Sequence, residues 1–274
     1  MKSGHSRPGV LTARVGVFVL SLVLVALTRA ELPALDHAWE LTSQMRAREA
    51  AEAFRPAASA GNREALLGAA LAHLAVQPFT PERLVEAREQ LQALVAANRD
   101  DETGIRARYE LGRIRQLYDA DSTASDAPEL VELGRDHATH YLGQLATIKL
   151  VLHRLYALVL PATDDARLAQ AEELRSRITD PGLLRDYDLV MGDAYLFFND
   201  RRKPALVHYR AAEAVGIPDA TMRATVLVQI GELARLEGQP EVAAAAYQKF
   251  LGEFRRDIRA FEVRRRLATI KAAP

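Results

Sequence analysis

From residue 31 onward apolar positions recur at intervals of three and four, and strict alternation is almost absent. The pattern predicts helices throughout and almost no strand. The stretch REALLGAALAHL, beginning at Arg63, shows it plainly, and RARYELGRIRQLY, ATIKLVLHRLYALV, DYDLVMGDAYLFF and RATVLVQIGELARL repeat it. Set in register, these segments place Gly68, Gly112, His153, Gly192 and Gly231 at one position, with spacings of 44, 41, 39 and 39 residues. A near-steady period in this range marks a repeat architecture, in which each unit buries its apolar face against the next.

A break and a second helix follow each of these segments. The breaks are Pro78–Pro81, Asp119–Pro128, Pro161–Asp165, Asn199–Pro204 and Gly238–Pro240. Proline tolerates the first helical turn, and Asp or Thr side chains can cap free amides there. The second helices read PERLVEAREQLQALVAANRD, PELVELGRDHATHYL, DARLAQAEELRSRI, PALVHYRAAEAVG and PEVAAAAYQKFLGEF, and Gly216 followed by Pro218 is a stop signal.

Several positions resemble the tetratricopeptide repeat family. Gly192, Tyr195, Ala205, Tyr209, Ala212 and Pro218 follow its pattern of small and aromatic residues with about one inserted residue. Gly231, Ala243, Tyr247 and Phe250 follow it with no insertion, although Ala234 stands where the first-helix aromatic belongs. Small residues let two helices approach, and the ring fills the adjoining gap. Ala50, Phe54 and Ala57 read as a second helix whose partner begins near Leu35, while Gly68 and Ala87 require a longer loop. The period exceeds the family's usual repeat of about 34 residues. Near the C-terminus, AAAAYQKFLGEFRRDIRAFEVRRRLATI is similar to repeats of periplasmic outer-membrane-assembly and Tol-Pal-associated members, with Arg255 and Arg256 where a proline usually follows the second Phe. The resemblance implies an all-α, right-handed α-solenoid of about five helix pairs over residues 31–274, with a capping helix near Ile258–Lys271. It also implies a groove lined by the first helices, on which Arg113, Gln116, Asp193, Leu196, Glu232 and Arg235 are the expected partner-binding residues.

Composition adds a compartment. Lys2, Arg7, Arg14 and Arg29 flank VGVFVLSLVLVALT at residues 15–28, and no acid precedes Glu31. An uncharged stretch of 14 residues suits a secretory signal core better than a membrane span, which needs about 20. Residues 1–30 are therefore expected to be a signal peptide cleaved after Ala30. The alternative is an uncleaved signal anchor tethered to the inner membrane, with Arg29 snorkelling. Net charge is zero over all 274 residues, but beyond Ala30 there remain 32 basic and 36 acidic residues. This mild acidity argues against nucleic acid as a partner. The 31 Arg against 5 Lys, with 48 Ala, point to a bacterium with a GC-rich genome. The expected location is periplasmic or secreted. The chain has no cysteine, which removes disulfides, thiolate metal sites, a cysteine nucleophile and a lipid-modified N-terminal cysteine.

Catalytic motifs are absent: there is no GxSxG, phosphate-binding P-loop, dinucleotide fingerprint or HExxH. His137 and His140, with Glu132 and Asp136 close by, have the spacing of metal ligands. However, Leu130, Leu133, His137 and Tyr141 fall on one helical stripe, so His137 is expected to pack against a neighbouring repeat. Asp119 and Asp121 start a stretch like a calcium loop, but Ala124 and Leu130 occupy the positions needing Gly and Glu. No metal and no cofactor are expected. The arginines from Arg255 to Arg266 read as the solvated face of a terminal helix, with docking to an anionic partner or membrane surface as the alternative. Together these readings predict a non-catalytic scaffold that binds another envelope protein or peptide segment. The alternatives are a helical cell-wall-polymer hydrolase, in which Glu232 would be the acid to inspect, and a self-associating or membrane-tethered spacer.

Overall fold

The structure, a computed structural model, describes residues 35–159 and 163–272. The expected signal or anchor at residues 1–30 lies outside the described residues. Among those that are described there are helices and turns but no strand, and no helix is long and apolar enough to cross a membrane. The chain divides into two compact units, Met1–Ala107 and Arg108–Pro274.

The first unit contains α1 (35–43), α2 (Ala47–Ser59), α3 (Arg63–Ala75), α4 (Pro81–Ala97) and the start of α5 (Glu102–Tyr118). Asn62 caps α3 by accepting from the Ala65 amide, and Pro81 opens α4 at a position where its missing N–H costs nothing. The core is small-residue rich. Leu35, Ala38, Leu41, Ala50, Phe54, Ala65 and Ala69 form one buried cluster. Trp39 meets the Phe54 ring edge-on at 4.9 Å, and a Cβ on Gly68 would lie 2.4 Å from Phe54 Cζ. Phe54 is therefore held between α1 and α3. The ring over Gly68 comes from the preceding helix, whereas the expected alignment looked for its partner in the following one.

The second unit continues with α6 (Pro128–Asp136), α7 (Tyr141–Tyr156), α8 (Asp164–Glu172), a 3-10 turn (Arg175–Arg177), α9 (Pro181–Phe197), α10 (Arg202–Val215), α11 (Ala220–Leu236), α12 (Pro240–Glu253) and α13 (Ala260–Ala272). Thr163, Asp180 and Asp219 cap α8, α9 and α11 through their side chains. Gly216 and Gly238 take positive φ of 99° and 68° in the turns after α10 and α11, as the stop signals predict. Three of the four predicted first helices here, α5, α9 and α11, meet their successors through the aligned position. An added Cβ would lie 2.4 Å from Leu130 Cγ at Gly112, 2.8 Å from Tyr209 Cε1 at Gly192, and 2.3 Å from Tyr247 Cε1 at Gly231.

His153 takes the aligned position in α7, and its neighbour is a loop rather than a ring. Its Nε2 lies 2.8 Å from the Ser122 carbonyl and its Nδ1 3.3 Å from Asp126 Oδ1, while Arg154 closes a 2.7 Å ion pair to the same carboxylate. The acidic stretch from Asp119 is thus pinned to α7. One predicted helix is broken: α6 stops at Asp136, and His140 Nδ1 accepts from the Leu142 amide as the cap of α7. The expected stripe through His137 and Tyr141 therefore does not exist. His137 ends α6, and Tyr141 is exposed. The terminal helix begins at Ala260, which leaves Ile258 in the turn before it.

Candidate functional site

Two stripes face each other across an open cleft of about 400 Å³ in the second unit. Asp186, Leu189, Val190 and Asp193 come from α9; Met222, Thr225, Val226 and Gln229 come from α11. Both sets are spaced i, i+3, i+4, i+7, the geometry that puts four side chains on one helical face. The floor is apolar, from Leu189, Val190 and Val226, and Tyr209 of α10 closes its base. Tyr209 Oη donates to Asp193 Oδ1, and burial followed by this bond raises the phenol above its ordinary range. Asp186 is paired with its neighbour Arg185 at 2.7 Å.

Of the six residues expected to line a groove, Asp193 alone lines this cleft. Leu196 is half-buried, packed against the core. Glu232 accepts from Tyr247 and is paired with Arg235 at 3.1 Å and with Arg266 of α13. Arg235 lines a different and more polar cleft with Glu262, Arg265, Arg266 and Thr269. On α5, Arg113 pairs with Glu110 at 2.8 Å, and the half-buried Gln116 has an Nε2 with no acceptor. The positions missed, Asp186, Leu189 and Val190, lie on the same stripe as Asp193 at seven, four and three residues before it. Counting back from Asp193 by helical spacing would have found them.

Glu232 does not suit acid catalysis. Burial works to raise its pKa, but the Tyr247, Arg266 and Arg235 bonds outweigh it and hold the carboxyl below its ordinary value. A general acid needs the opposite shift. His137 and His140 have ring centroids 6.5 Å apart, and among the described residues no group of three or more His, Asp or Glu is placed to hold a metal ion.

Sequence reading also missed a buried ionic cluster joining α8, α9 and α10. His208 Nδ1 lies 2.9 Å from Asp188 Oδ1, and its Nε2 lies 2.9 Å from Glu172 Oε1. Tyr187 and Tyr195 each donate to Glu172 at 2.9 Å. Burial alone would neutralise His208, but the Asp188 and Glu172 carboxylates raise its pKa to about 9. Burial likewise opposes the Glu172 charge, and the bonds from His208, Tyr195 and Tyr187 lower it to about 2. Both ring nitrogens are engaged by carboxylates. The cluster ties α8, α9 and α10 together. Its partners are 36 and 20 residues apart in sequence, so no local motif announces it.

No family model and no curated protein matches the chain. Among solved structures it is similar to a thermophilic TPR protein of Thermus thermophilus, at 18% sequence identity and a TM-score of 0.28, over 89% of this chain and 100% of that one.

Proposed function

We propose that this protein is a tetratricopeptide-type interaction scaffold of the bacterial cell envelope, whose α9–α11 cleft holds a short segment of a protein partner. The observation that carries this reading is the pair of facing stripes. They leave an apolar floor open to solvent between two first-type helices, α9 and α11, that Tyr209 and Tyr247 hold against their successors. Leu189, Val190 and Val226 bury one or two apolar side chains of the segment, and Met222 adapts to their shape. Asp193 and Asp186 at the margin set register and favour a segment carrying a positive charge. The Gly–Tyr contacts hold each stripe's helix against its successor, and α10 packs in turn on α11, so little ordering is required when the segment arrives. The envelope location rests on the charge and length pattern of residues 1–30, as does a tether to the inner membrane if that segment is retained.

Site-specific photocrosslinking in the native cell tests the reading. A photoreactive residue at the exposed Met222 is expected to capture a discrete partner that the same residue at exposed Lys203 does not, and Val190→Asp is expected to abolish the product. Equal products from both positions would refute the cleft. N-terminal sequencing of the envelope-located protein is expected to begin at Glu31; a start at Met1 would instead show the retained anchor.

A further inference from the structure

We infer that the turn before α13 and the outer face of that helix form a docking surface for an anionic lipid membrane, distinct from the α9–α11 cleft. Ile258 is 96% exposed and Phe261 is 76% exposed. The solvent-facing side of an amphipathic helix ordinarily carries polar side chains at such places. The helix is otherwise well seated, with Ala260, Val263 and Leu267 buried, so the outward Phe261 is not a sign of poor packing. Phe261 shares its face with Arg264, Arg265 and Ala268 by helical spacing. Arg255, Arg256 and Arg264 are exposed and have no ion-pair or hydrogen-bond partner among the described residues. Arg259, in the same turn, behaves differently: it binds Asp257 at 2.7 Å and lies over the Phe250 ring at 5.6 Å. The turn thus keeps one arginine for its own structure and leaves three cations beside two protruding apolar side chains.

That combination fits a lipid surface better than a folded partner. Protein hot spots seat apolar side chains in walled pockets, whereas a bilayer accepts a bare protrusion below the headgroups and holds flanking cations at the phosphates. Each basic side chain near an anionic surface adds to the attraction, which decays within a Debye length.

The absence of cysteine allows a single reporter. The full chain with Ile258→Cys, labelled with an environment-sensitive nitrobenzoxadiazole dye, is mixed with vesicles of phosphatidylcholine containing phosphatidylglycerol, and with phosphatidylcholine alone. The dye is expected to brighten and shift to the blue on the anionic vesicles only, and less so as salt is raised. Combining Arg255→Glu, Arg256→Glu and Arg264→Glu is expected to weaken this response by roughly tenfold or more while helicity is unchanged. An unchanged dye on anionic vesicles overturns the inference, even if the chain sediments with them through residues 15–28. So does a response equal on neutral vesicles or in the charge-reversed variant. A dye response to polyglutamate without one to vesicles assigns the surface to an acidic protein and overturns it too.

Discussion

The hydroxyl of Tyr209 donates to the carboxylate of Asp193, one residue beyond the glycine that the same ring covers. Tyr247 does the same to Glu232, one residue beyond Gly231. A single residue of the second helix thus fixes the pair twice, by its flat face and by its polar tip. Gly231→Ala would put a methyl 2.3 Å from the fully buried Tyr247 ring, and the ring has nowhere to go. Thermal or denaturant unfolding is expected to show a loss of about 1–3 kcal/mol. Tyr247→Phe keeps the ring and removes the donor, so its cost is expected to be smaller, about 0.5–1.5 kcal/mol.

In the first unit Phe54 performs the equivalent task against Gly68 and Trp39. Phe54→Ala leaves a cavity among alanines that cannot extend to fill it. A loss of about 3–5 kcal/mol is expected, with the Trp39 fluorescence moving to longer wavelength as its covering ring is removed. Retention of the native emission would argue against this packing.

At the aligned position of α7 the family-like residue would destabilise. His153→Gly removes both contacts to the Ser122–Asp126 loop and adds backbone freedom within a helix. A loss of about 1–3 kcal/mol is expected, with faster amide exchange across residues 119–127. A stabilised variant would show that the loop contacts contribute nothing.

The His208 cluster sets a pH window. Its pKa rises from 6.5 unfolded to about 9 folded, so its contribution is complete below 6.5 and is lost as pH rises through 9. Glu172 falls from 4.5 to about 2, so its contribution is complete above 4.5 and is lost as pH falls towards 2. The shared interaction is therefore strongest between pH 4.5 and 6.5. Stability measured against pH is expected to decline on both sides of that window. His208→Phe is expected to flatten the alkaline limb, and an unchanged limb would remove His208 as its cause.

Local signals carried most of the fold. Pro81, Pro128 and Pro240 mark helix starts, Gly216 and Gly238 mark ends, and two of the four aligned glycines, Gly192 and Gly231, meet the tyrosine rings that the repeat pattern implies. What failed was whatever depends on a neighbour. The helical period ran through His137–His140 because nothing local marks His140 as the cap of α7. Arg235 and Glu232 looked like free groove residues until Arg266, 31 or more positions away, closed on the carboxylate.

The scaffold reading stands or falls with a partner segment held by the α9–α11 stripes. Its decisive test is calorimetric titration of the segment captured at Met222 against the wild-type protein and against Val190→Asp combined with Met222→Asp. Both positions border the cleft outside the fully buried core, so the melting temperature is expected to stay nearly unchanged. Affinity is expected to fall by about tenfold or more, as two apolar contacts are exchanged for carboxylates that lose their hydration against the segment's apolar side chains. Equal affinity for both proteins would mean that the stripes play no part in binding.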